Sequence, residues 1–238
     1  MAESSGKTVA AHRGWDWIAG GWALFLKSPL VWLLWVVVLV ILVLVLLSLG
    51  APTGRLLLIL LGPAIMAGIA CGCRDLDEGR PMRFARLFAG FGAQAGKHLA
   101  VGAICAVATA LIAVGAILGT GVALSSLSSP EEVLALTPEQ LLSILLALLI
   151  MLALLIPVAM AAWFAPLLVA FGGRGPLAAL RDSFAASLRN VAPMLVYGLV
   201  LVPLIFVATL PILLGWLVLL PVLLASVYVS YKDIFTAA

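Results

Sequence analysis

Charge is what this sequence has least of. Only 10% of its 238 residues are Asp, Glu, Lys or Arg, against 65% hydrophobic residues, and the mean hydropathy is +1.29. So little charge excludes a water-soluble core protein, and several uncharged apolar stretches of about 20 residues point to a polytopic membrane protein. Within those stretches ionisable groups are essentially missing. They cost roughly 2.5 to 3.5 kcal/mol at mid-helix on insertion scales and mark proton paths, ion sites or catalysis where they occur. Ion coupling and enzyme chemistry are disfavoured accordingly.

Histidine and cysteine are scarce as well. His12 lies in the polar N-terminal segment and His98 at a span end within reach of headgroups, so no bis-histidine haem site can be built. Cys71, Cys73 and Cys105 are an odd set with no disulfide framework, and the Cys71-x-Cys73 pair has too few neighbouring ligands for a metal. Ser125, Ser126, Ser128 and Ser129 fall across the membrane from both histidines, which leaves no Ser/His/Asp arrangement. Neither G-x-x-x-x-G-K-[ST] nor G-x-G-x-x-G occurs. The expectation is a protein without catalytic residues, cofactor or metal.

What is present is six spans. The first covers Pro29 to Leu49 and stops at "GAPTGR", where Gly50, Pro52 and Gly54 break the helix and Thr53 can cap the next. Twenty-eight residues with three tryptophans precede it, and the run exceeds a signal-peptide h-region, so no cleavable signal is expected. The second span runs from Arg55 to about Gly72 and the third from about Leu99 to Thr120. A fourth begins at "TPEQ", where Thr137, Pro138 and Gln140 fit the N-cap, N1 and N3 of a capping box. It continues toward Phe171, and Pro157 or Pro166 is expected to kink or end it. Residues 190 to 231 carry no charge; as one helix they would reach about 63 Å, so the chain turns within them, at Ala208 to Pro211.

Twelve of the thirteen basic residues fall on the side of the termini, and Arg55 alone falls opposite, with the glutamate-bearing loop before Gln140. The positive-inside rule makes both termini cytoplasmic. The net charge of +3 then marks a membrane face, and no nucleic-acid partner is implied.

Seven charged residues crowd into "RDLDEGRPMRFARLFAGF", residues 74 to 91. Phe84, Leu87, Phe88 and Phe91 recur at helical spacing with Arg83 and Arg86 on the other side, the pattern of an amphipathic interfacial helix. Two more such helices precede spans. Trp15, Ile18, Trp22 and Phe25 form an apolar face before Lys27; Leu177, Leu180, Phe184 and Leu188 form one beside Arg181 and Arg189. These residues, with Lys97, are the expected lipid anchors. The fold class expected is all-α: six transmembrane helices with three cytoplasmic-side amphipathic helices. Each surface helix and the hairpin after it would form one unit of a three-fold repeat over 14–73, 82–171 and 176–231.

Two features have double readings. "EGRP" and "GRGP" are turn signals, yet Arg80 and Arg174 within them are also candidates for gripping an anion or lipid phosphate. Gly68-x-x-x-Gly72 and Gly115-x-x-x-Gly119 are small faces that pack helices, within one chain or between two.

The segments "GWDWIAGGWALFLKSPLVW", "LFAGF", "AAWFAPLLVAFGGRGPLAALRDSFAASLRNVAPMLVYGL" and "SVYVSYKDIF" resemble a family of proteobacterial six-span inner-membrane proteins without an established activity. In architecture the chain is also loosely similar to the membrane domain of some glycerophosphodiester phosphodiesterases, without a catalytic domain. The resemblance implies architecture and location and transfers no functional residues. The function expected is a structural or accessory subunit, or an assembly factor, that contacts membrane lipids and another integral membrane protein or itself. The alternative is a carrier or binding protein for a lipid or other apolar molecule. Topology is checked by reporters: alkaline phosphatase fused within 125–136 is expected to be active, and fused after residue 238 inactive; the opposite pattern overturns the orientation.

Overall fold

A computed structural model describes residues 6–120, 136–210 and 213–236. Among them are helices α1 (Arg13–Lys27), α2 (Pro29–Ser48), α3 (Ala51–Asp77), a 3-10 helix (Phe84–Phe91), α4 (Ala95–Thr120), α5 (Pro138–Gly172), α6 (Pro176–Arg189), α7 (Val191–Thr209) and α8 (Trp216–Phe235). The chain is all-helical, and α2, α3, α4, α5, α7 and α8 are long and apolar enough to cross a membrane.

Local chemistry sets the boundaries. Gly50 turns α2 into α3 at φ +98°, a conformation that costs glycine little. At the start of α5, Gln140 N–H donates to the Thr137 hydroxyl and Thr137 N–H donates to the Gln140 side chain, the expected capping box. Pro157 and Pro166 do not end α5, which runs 35 residues to a left-handed Gly173, about 52 Å at helical rise. Instead the Ser183 hydroxyl enters its ladder near Pro166, accepting from Phe164 N–H and donating to Met160 C=O. The last turn opens after Thr209, one residue into the expected Ala208–Pro211 break; Pro211 lies outside the described residues.

The core sits toward the end of the bundle where the termini meet, and Lys7 N–H donates there to Ile234 C=O. Ala64, Ala67, Ala70 and Cys73 of α3, Phe164, Leu167 and Leu168 of α5, and Val222 and Ala225 of α8 are buried in it. Each short element lies against a different long helix: α1 on α8, the 3-10 helix on α3, α6 on α5. The docking order is cyclic, because each short element rests on the long helix that ends the preceding hairpin.

That docking changes which faces the short elements bury. In α1 the buried residues are Gly14, Trp17, Ile18, Gly21, Leu24 and Phe25, at steps of three and four. Phe25 is therefore a core residue and not a lipid anchor, whereas Trp15 and Trp22 remain exposed. The reason is steric: a Cβ on Gly14 would overlap the backbone of Pro193 and Tyr197, and one on Gly21 that of Val222. The segment expected as an amphipathic α-helix around Phe84–Phe91 is a 3-10 helix. Leu87 and Gly90, three residues apart and so on one face, turn onto α3, while Phe84, Phe88 and Phe91 stay exposed. In α6 the buried face is Ala179, Leu180, Ser183, Ala186 and Ser187; Leu177 and Leu188 are exposed and Phe184 is half-buried.

Gly68 and Gly90 interlock the 3-10 helix with α3, since a Cβ on the first would overlap Leu87 C=O and on the second Ala64 C=O. Gly90→Val is expected to lower stability by about 1 to 3 kcal/mol or more, through overpacking against backbone. Gly62→Ala, which meets nothing within 4 Å on the same α3, is expected to be neutral or slightly stabilising. Thermal unfolding of both variants in detergent checks the contrast.

Candidate functional site

Polar groups concentrate where the helices converge near the termini. Asp233 of α8 accepts from Arg13 Nε and Nη2 and from Trp17 Nε1, each at 2.9 Å. This bidentate pair clamps α1 onto α8. Asn190, fully buried, accepts from Val9 N–H and donates to Lys7 C=O and Ala186 C=O, which ties down the N-terminal segment. Asp77 accepts from Lys232 at 2.6 Å and from the Tyr228 hydroxyl at 3.1 Å, joining α3 to α8.

Two expected lipid anchors act on backbone instead. Lys27 Nζ donates to Leu76 C=O and Lys97 Nζ to Gly173 C=O, both at 3.0 Å. These carbonyls belong to helix ends, where intrahelical donors run out. His98 departs further from expectation. It does not reach headgroups; it is 2% exposed, with Nδ1 3.1 Å from Gly90 C=O and Nε2 3.3 Å from Pro166 C=O. The ring thus bridges the 3-10 helix to α5.

Arg80 and Arg174, the candidates for gripping an anion, are each engaged by a carboxylate. Arg174 lies 2.7 Å from Asp182, which Arg181 also approaches at 3.4 Å. Arg189 is exposed and donates to Ala185 C=O. Arg80 donates to Asp75 through Nε and Nη2 and to Glu78 through Nη1. Asp75 is buried and also accepts from Arg86, at 2.5 Å to Nε and 3.2 Å to Nη2. Hydrogen bonds to Asp75 hold Arg80 and Arg86 above the ordinary guanidinium pKa, as Asp233 does for Arg13. All three stay cationic. Arg80, Arg83 and Arg86 border a surface cleft of about 470 Å³, also lined by Asp75, Pro81 and Ala89.

The four glycines expected to pack helices divide into two pairs. Gly68 meets the Leu87 backbone and Gly72 the Trp35 ring. Gly115 and Gly119 meet nothing within 4 Å and line a groove of about 510 Å³ between α4 and α5, together with Ala116, Ser143 and Ala147. Between Ala147 and Phe164, α5 has no residue buried within the bundle. A third cleft, of about 530 Å³, lies between α1, α7 and α8 and exposes Trp15, Trp22, Leu204 and Val218.

Sequence reasoning missed Asp75, Asp233, Asn190, His98, Ser183 and Ser187 as binding elements of the fold. A readable signal was the Arg-bearing element after the acids that end α3, as in Asp75 and Arg86. Ser125, Ser126, Ser128 and Ser129 lie outside the described residues.

Six apolar spans, tied at one end by ion pairs and buried side-chain hydrogen bonds, define a polytopic integral membrane protein. Over 226 residues, 92% of this chain and 82% of the other, it is 32% identical to a Burkholderia thailandensis protein described as a "probable inner membrane protein". The chain belongs to that protein's family and is an integral inner-membrane protein. No family model matches it, and no solved structure matches.

Arg13 is 39% exposed on its side chain, so solvent screens its bond to Asp233 and the expected cost of Asp233→Asn is about 1 to 2 kcal/mol. Arg13→Met in the Asp233→Asn background is expected to add little further loss. Unfolding midpoints of the two single variants and the double variant give the coupling, and strict additivity would remove the clamp.

Proposed function

We propose that the protein is a non-enzymatic accessory subunit or assembly factor that packs against another integral membrane protein. The observation that carries this reading is the α4–α5 groove. Gly115 and Gly119 stand open in it, with Ala116 and Ser143 partly exposed beside them, and α5 has no buried residue between Ala147 and Phe164. Without a hydrophobic force between helices in lipid, association rests on close packing, and small residues let a partner backbone approach. Both termini and the ion-paired end face the cytoplasm in this reading, as the distribution of Lys and Arg favours. The cyclic docking of α1, the 3-10 helix and α6 is taken as three repeated units.

A second reading, as carrier of a lipid or other apolar molecule, is favoured by the apolar cleft beside Trp15 and Trp22. Native mass spectrometry of protein extracted in mild detergent separates the two. The accessory role expects a stoichiometric second polypeptide that is lost in Gly115→Leu/Gly119→Leu, with the unfolding midpoint unchanged because both sites are open. A self-complex lost in the same variant names a second copy as the partner. A lone chain with one reproducible small-molecule mass supports the carrier.

A further inference from the structure

We infer that the cleft at the end of α3 binds the phosphate of an anionic phospholipid headgroup, gripped by Arg83 and the outer edge of Arg86. Two of the three guanidiniums at the cleft are already hydrogen-bonded to carboxylates. Arg80 spends Nε, Nη1 and Nη2 on Asp75 and Glu78. Arg86 spends Nε and Nη2 on Asp75, so its Nη1 bonds to no carboxylate. The Arg83 side chain makes no hydrogen bond or ion pair among the described residues, yet it lines the cleft beside Arg86. Three guanidiniums therefore border a cleft whose one lining carboxylate is already shared by two of them, and Glu78 is held by Arg80.

The comparison with α1 shows which of these charges the fold itself uses. There Asp233 holds its docked element through a single arginine, Arg13. Arg86 does the same for Asp75, and Arg83 is surplus to that clamp. A guanidinium with all five donors free and a second with one free nitrogen match the oxygens of a phosphate, which takes parallel N–H bonds from such forks.

A lipid, rather than free phosphate, is the source because of what flanks the cleft. Phe84 and Phe88 on the same 3-10 helix project outward and stack edge to face at 6.0 Å. Both rings are exposed and offer an apolar bed for acyl chains beside the headgroup. The cleft also lies at the end of a membrane-spanning helix, at the level a headgroup occupies. Zwitterionic headgroups bring a cation toward three arginines and are disfavoured.

The test uses the full chain purified in detergent, with phosphatidylglycerol, phosphatidylcholine and inorganic phosphate as probes and native mass spectrometry as the readout. Phosphatidylglycerol is expected to bind about tenfold or more tightly than phosphatidylcholine. Arg83→Gln breaks no contact, so its unfolding midpoint is expected to match the wild type while phosphatidylglycerol affinity falls roughly tenfold. Arg83→Lys, which keeps charge but loses the fork, is expected to fall between. Equal affinity for the two lipids, or unchanged binding in Arg83→Gln, overturns the site. Competition by millimolar inorganic phosphate as effective as the lipid overturns the lipid as its source. The accessory role does not enter these outcomes, since Arg83 is not part of the α4–α5 groove.

Discussion

Three short segments enter the bundle beside long helices, and every backbone carbonyl they leave open in apolar surroundings needs a donor. An unsatisfied carbonyl in hydrocarbon costs several kcal/mol, so irregular backbone survives there only when protein groups supply the missing bonds. Polar side chains of this chain supply such bonds, both to the short segments and to the long helices they meet. The His98 ring sits between Gly90 C=O and Pro166 C=O, and a neutral imidazole donates to one of the two. Ser183 and Ser187 both donate to Met160, Asn190 serves Lys7 and Ala186, and Lys27 and Lys97 cover Leu76 and Gly173. None of these groups needs a catalytic explanation.

Once the carbonyls are satisfied, position follows from glycine and charge. Gly14, Gly21, Gly68 and Gly90 let the short segments close onto neighbouring backbone, and the pairs of Asp233 with Arg13 and Asp75 with Arg86 lock them there. The two ends of the bundle therefore differ in kind. One is cross-linked by side chains between elements distant in sequence. The other, where α4 and α5 flank a groove at Gly115 and Gly119, has few such ties among the described residues, and local stability follows buried contacts.

The six spans were legible because a run of about 20 apolar residues has one main explanation, and the Thr137 capping box because its spacing is specific. The faces of the short helices were not. Reading large apolar residues as the contact face put Trp15, Trp22 and Phe25 together, whereas backbone proximity is set by where side chains are missing. Gly14 and Gly21, seven residues apart, were the informative pair. His98 was misplaced for a related reason: a histidine at a span end reads as interfacial unless the segment before it folds back beside the helix, as Phe84–Phe91 does. The engagement of Arg80 by Asp75 was equally hidden, since a charge run does not reveal which members pair.

The length of α5 has a consequence for where the protein resides. Its 35 residues exceed what a hydrocarbon layer of about 30 Å accommodates upright, so the helix leans or the surrounding bilayer thickens. Either adjustment costs a fraction of a kcal/mol per ångström of mismatch, and sharing the deformed lipid with another over-long helix relieves part of it. This single helix thus biases lateral sorting, drawing the protein toward thicker patches and toward neighbours of matching length before any specific contact forms.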